Sequence, residues 1–193
     1  MSWYLRAFLQ GFLFSAFYFP NVAVSQKGNQ HLVTEDFAIT LSKVWDISAT
    51  PTNQIAGLAF IDKKNPNLGR LLVYKEAGEK SFTNGKKLAR RMMDEYGFSG
   101  SSTFKIRKAG SLKVRNRDAG YVEYSNQVGP DRFYALTISF KLNTTNYFVT
   151  FQAPREEYVQ FRNKVIKSVQ RLQPMGSSNQ ASKIRKNKKS QRR

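Results

Sequence analysis

In several stretches of the chain apolar and polar residues alternate with period two, which puts successive side chains on opposite faces of extended strands. Residues 37–41 (Phe-Ala-Ile-Thr-Leu) predict a first strand, with Trp45 packing near the sheet edge behind it. Residues 56–61 and 70–75 predict two more strands, and the Asp-Lys-Lys-Asn-Pro-Asn run at 62–67 between them makes a hairpin with a long loop. The period then changes. Leu88, Ala89, Met92 and Tyr96 recur at helical spacing within 81–96, with Lys86, Lys87, Arg90 and Arg91 on the other faces. Gly97 and Phe98 fit a cap in which Phe98 folds back toward Met93.

Alternation returns at 104–117. Phe104, Ile106, Leu112 and Val114 interleave with Lys105, Arg107, Lys113, Arg115 and Arg117, and Ala109-Gly110-Ser111 separates the two halves. This predicts a hairpin with its basic side chains on one face, opposite a buried one. Strands follow at 119–125 and 132–142. In the second, Tyr134, Leu136, Ile138, Phe140 and Leu142 share a face, while Ala135, Thr137, Ser139 and Lys141 point away. Residues 143–146 form a turn, and Tyr147, Val149 and Phe151 resume the inner face. Pro154 and the acids Glu156 and Glu157 open a last helix, where they suit its first turn and the positive end of its dipole. Tyr158, Phe161, Val165, Val169 and Leu172 form its buried stripe. The order β-β-β-α, β-meander, α predicts an α+β sandwich, an antiparallel sheet covered by two main helices.

The two ends differ from this body. Residues 1–25 combine Arg6, an apolar run of about 13 residues that is short of the roughly 20 needed to cross a bilayer, and small residues at Ala23 and Ser25. They read as a signal peptide cleaved after Ser25, which predicts a periplasmic or secreted protein. From Pro174 the chain reads as a flexible linker followed by Lys183, Arg185, Lys186, Lys188, Lys189, Arg192 and Arg193 without an acid. Like charges so close repel, and Ile184 alone cannot offset the entropy of ordering, so 174–193 is expected to be a disordered polybasic tail. Residues 26–173 then form a single domain. The whole chain carries 32 Lys+Arg against 13 Asp+Glu, a formal charge of +19.

Composition narrows the chemistry. With no cysteine and one histidine, His31, thiol nucleophiles, Cys-based metal sites and paired imidazoles are excluded. Ser102-Thr103-Phe104-Lys105 matches the Ser-x-x-Lys pattern of serine β-lactamases, so a Ser-Lys hydrolase is a remote alternative. That chemistry needs a helix beginning at the serine, whereas period two from Phe104 puts the serine and the lysine on opposite faces. Glu35/Asp36, Asp94/Glu95 and Glu156/Glu157 are sequence neighbours and diverge instead of converging on a cleft. No catalytic residue, cofactor or metal site is predicted. Asn143-Thr144-Thr145 is a formal glycosylation sequon made of ordinary turn residues.

In its order of elements the chain resembles the PsbP-like and DcrB-like superfamily of small exported α+β proteins. The resemblance rests on Phe37 to Trp45, on Ala119-Gly120-Tyr121-Val122-Glu123-Tyr124, and on the 147–154 strand running into a helix with Ser168-Val169. It implies a non-enzymatic accessory protein that docks on larger complexes through basic surface residues. The expected contacts are the ribbon Lys105, Arg107, Lys113, Arg115 and Arg117 together with the tail cations. The expected partner is an acidic protein surface or envelope component, with anionic lipid open as well, and the protein is a monomer or part of a larger complex. Nucleic acid is the alternative partner, because charge alone does not choose among polyanions.

Overall fold

The computed structural model describes residues 28–48, 54–78, 80–96, 104–128 and 131–175. The expected signal peptide, the Gly97–Phe98 cap, Ser102 and the tail cations lie outside them. Seven strands form one antiparallel sheet: β3 (Asp46–Ser48), β4 (Ile55–Phe60), β5 (Arg70–Ala77), β6 (Lys105–Val114), β7 (Arg117–Val128), β8 (Asp131–Leu142) and β9 (Thr145–Ala153). Their order is β3-β4-β5-β9-β8-β7-β6. The expected meander is therefore present in β6 to β9, and the early β4–β5 hairpin joins it along β9. A smaller sheet pairs β2 (Phe37–Leu41) with β1 (Gln30–Val33) and with β10 (Gln173–Pro174). Met175 N–H extends that pairing to Asp36 O at 2.8 Å.

Helix α1 (Gly85–Tyr96) and helix α2 (Arg155–Gln170) cover opposite faces of the large sheet. Under α2 lie Leu71, Val73, Leu136, Ile138, Phe140, Val149 and Phe151, which meet Tyr158, Phe161, Val165 and Val169. The small sheet closes the same core with Leu32, Phe37 and Ile39. Trp45, expected near the sheet edge, precedes edge strand β3 but turns its indole inward. It packs edge-on to Phe151 and Phe161 at 5.8 and 6.0 Å and is 2% exposed. Each such large apolar side chain contributes about 1.5–3 kcal/mol on burial.

The opposite face carries a second core, in which Leu88 and Met92 of α1 cover Val122, Tyr124, Ala135 and Phe148. Thr137 and Ser139 thus point away from the first core, as expected, yet both are buried. Thr137 meets this by sharing a 2.9 Å hydrogen bond with Thr150 on the neighbouring strand. Arg91 fastens the helix from its flank. Its guanidinium lies over the Phe82 and Phe148 rings at 4.4 and 4.8 Å and pairs with Glu76 at 2.7 Å.

Two sequence expectations are corrected. The first helix begins at Gly85 instead of Ser81, because the Asn84 side chain accepts the Lys86 and Lys87 N–H groups and so caps it there. The second concerns 104–117. Ala109-Gly110-Ser111 does not separate two strands but lies inside one, β6. The turn is at Arg115–Asn116, where both residues take positive φ (47° and 67°), as a two-residue hairpin loop requires. Gly110 has a packing duty instead: its own Cβ would lie 2.7 Å from the Tyr121 ring, and a Cβ on Gly85 would overlap the Gly110 backbone, so the start of α1 rests directly on this strand.

Candidate functional site

Strand β6 ends the sheet and carries Lys105, Arg107 and Lys113 of the predicted basic set, while Arg115 sits in the following turn and Arg117 begins β7. Lys105, Arg107, Lys113, Arg115 and Arg117 are all exposed. They do not share one face. The β6–β7 register shifts between Ile106 and Lys108, so a bulge at Arg107 resets the alternation. Directly paired residues share a face. Lys105 pairs with Ser125 and Lys108 with Glu123, which places both on the α2 side, whereas Lys113 pairs with Asp118 on the α1 side. The outcome is a cationic edge with charges directed to both sides, in place of a one-faced ribbon.

The α2 side of this edge is the more elaborate. Arg107 lies over the Tyr134 ring at 4.8 Å and donates Nε–H to Ser125 Oγ at 3.4 Å. Lys108 Nζ lies 6.0 Å from the centre of the Tyr121 ring, and that ring in turn leans over Gly110, where no side chain stands in its way. Deeper in, Glu123 accepts hydrogen bonds from Tyr158 Oη at 2.9 Å and Arg162 Nε at 2.8 Å, with a second Arg162 nitrogen on its other oxygen. Burial alone would raise the Glu123 carboxyl, but the Arg162 and Tyr158 hydrogen bonds and the charges of Arg162 and Lys108 outweigh it and hold it below its usual range. Burial and then the Glu123 charge push the Tyr158 phenol upward. The Arg162 guanidinium is raised chiefly by its bond to Glu123.

The carboxylates along this edge are therefore engaged. Glu123 is held by Arg162, and Asp118 pairs with Lys113 at 2.8 Å. Among the described residues, Lys105, Arg107, Lys108, Arg115 and Arg117 have no carboxylate partner. The turn itself is anchored by Arg115 N–H on Gln170 O, at 3.1 Å, which ties the hairpin to the end of α2.

Sequence reasoning missed Lys108 and Arg162. Lys108 follows the bulge and breaks the period on which the basic set was built. Arg162 joins the edge only because α2 packs over β8 and β9 and its side chain reaches across to Glu123 on β7. Lys105 stands exposed on a strand, not on the helix that a Ser-x-x-Lys site needs. His31 is exposed on β1 within 3.3 Å of Thr40 Oγ1. No group of three or more metal-ligating side chains occurs among the described residues, and none of their helices is long and apolar enough to cross a membrane.

The solution structure of cyanobacterial PsbP (CyanoP) from Synechocystis sp. PCC 6803 superposes with a TM-score of 0.62, over 80% of this chain and 97% of that one. The chain shares the PsbP fold. Sequence identity to it is 10%, so the likeness is one of architecture. The Saccharomyces cerevisiae Ran-binding protein Mog1p has a similar architecture, with a TM-score of 0.50 at 9% identity over 75% of this chain and 93% of Mog1p. No protein-family model matches the sequence, and no curated protein does.

Proposed function

We propose that this chain is an exported, non-enzymatic accessory protein that docks on an acidic partner, a protein complex or envelope surface, through its β6–β7 hairpin and basic tail. The observation that carries the reading is the charge imbalance at the sheet edge. Lys105, Arg107, Lys108, Arg115 and Arg117 project beside two carboxylates that other cations already occupy. Such a field speeds encounter with a negative surface and orients it. Export rests on the signal-like residues 1–25. The PsbP fold supports a binding role by likeness, since the Ran-binding Mog1p shares the architecture.

A protein surface fits this edge better than single-stranded nucleic acid. Stacking on bases needs open aromatic faces, whereas Tyr121 and Tyr134 lie half-buried with Lys108 and Arg107 over their rings. The test is capture from the envelope of the source organism by the wild type and by a variant with Lys105, Arg107, Lys113, Arg115 and Arg117 all changed to Glu. The wild type should retain partners that are released as salt rises from about 0.15 to about 1 M, as the screening length falls from about 8 to about 3 Å. The variant should retain none of them. Equal capture by both proteins, or tighter binding of random oligonucleotides than of any protein, would overturn the reading.

A further inference from the structure

The basic edge is also a strand edge, and its backbone gives the docking surface a definite mode. A two-residue turn makes its flanking pair, Val114 and Arg117, a hydrogen-bonded one, so alternate residues of β6 bond to β7 and the others face outward. Counting back from Val114, the outward N–H and C=O groups belong to Lys113, Ser111 and Ala109. Among the described residues no strand lies on that side of β6. The middle of the edge is Ala109-Gly110-Ser111, whose side chains are small enough to leave the backbone open, and cations stand at both ends.

We propose that β6 receives an extended acidic segment of a partner protein as an eighth antiparallel strand. Main-chain hydrogen bonds to Ala109, Ser111 and Lys113 would hold it, and its carboxylates would meet Lys105, Arg107 and Lys108 at one end and Arg115 at the other. A second copy of this chain is the natural rival for any open edge, but β6 against β6 would set Lys and Arg opposite Lys and Arg. The charges that reject a like strand do not reject an acidic one, and the bulge at Arg107 lies outside the Ala109–Lys113 stretch that would pair. Half-buried Leu112, on the α2 face, favours an apolar residue of the added strand beside it. This inference rests on the basic-edge docking reading and adds to it a backbone-mediated mode and an extended partner.

The experiment uses the full chain and a fluorescent peptide of about ten residues with consecutive Glu residues at both ends and Val-Thr-Val at its centre, so that carboxylates reach both faces, matching the length of a strand such as β6. Its comparator is the same peptide N-methylated at alternate amides, which keeps the charge and removes the donors along one edge. Methylation should weaken binding about tenfold or more. Ser111→Pro in the protein should do the same with an unchanged unfolding midpoint, because that N–H bonds nothing in β7 and proline is tolerated there. Should Ser111→Pro not fold, the methylated peptide alone decides. If methylation changes nothing while Arg107→Glu with Lys108→Glu abolishes binding, strand addition is wrong and basic docking stands. If neither peptide binds but polyglutamate binds through the hairpin cations, strand addition is wrong in the same way. If nothing anionic binds the hairpin, both readings fall. Dimerisation through β6, or an oligonucleotide that outcompetes the peptide at the same edge, also overturns the inference.

Discussion

Glu123 concentrates the electrostatics of the folded body at one side chain. Its carboxyl is held below the unfolded value, so the stability it contributes is fully present above that value, near 4.5, and is lost as pH falls through the lower folded one. Glu123→Gln should therefore cost about 1–3 kcal/mol at pH near 7, and the difference from wild type should shrink as the medium is acidified. Urea unfolding across that range measures it, and a difference that grows toward acid would contradict the assignment. Asn84→Ala tests a separate residue-scale claim: loss of the cap should lower stability by about 1 kcal/mol. Little of this was legible in the sequence. Glu123 reads there as one acid in a strand, and its partners, Tyr158 and Arg162, are 35 and 39 residues away. Their meeting depends on how α2 crosses the sheet, which no local pattern encodes.

Elements were read far better than contacts. The stripe Tyr158, Phe161, Val165 and Val169 is buried throughout, because a helix with one apolar side has one way to lie on a sheet, and Leu172, expected on the same stripe, is buried just past the helix end. Period two likewise located β2, β8 and β9, and short apolar runs bounded by turn residues located β4 and β5. It failed at 104–117 for a specific reason: Ala-Gly-Ser has the composition of a turn, while the true turn uses Arg115 and Asn116, which only weakly signal positive φ. The short strands β1, β3 and β10 offer four, three and two residues and no periodicity to read. Glycine at the α1–sheet contact is the element-scale determinant. A Cβ at Gly120 would lie 2.7 Å from Phe82 O and 2.8 Å from Asn84 C, both backbone atoms. Gly120→Ala should consequently destabilise by about 1–3 kcal/mol and loosen α1 first. Amide exchange should quicken in 85–96 ahead of α2, and uniform quickening would argue against a local contact.

At the scale of the whole molecule, two cores on opposite faces bury residues 135–140 of β8 from both sides and leave β6 at the margin, where its charges remain hydrated. Folding thus keeps packing in the middle of the sheet and leaves the charged edge open for the proposed docking. The polybasic tail, on this account, extends the reach of the same field, so removing 176–193 should slow association at low salt more than it speeds dissociation. Kinetics on a captured partner would show this, and a change confined to dissociation would tie the tail to specific contacts instead. The most direct test of the account is amide hydrogen exchange of the protein alone and bound to a captured envelope partner. Protection should rise in 105–117 while α1 and the β3 edge stay as they were. Protection on α1 or β3 with an unchanged β6–β7 hairpin would contradict it.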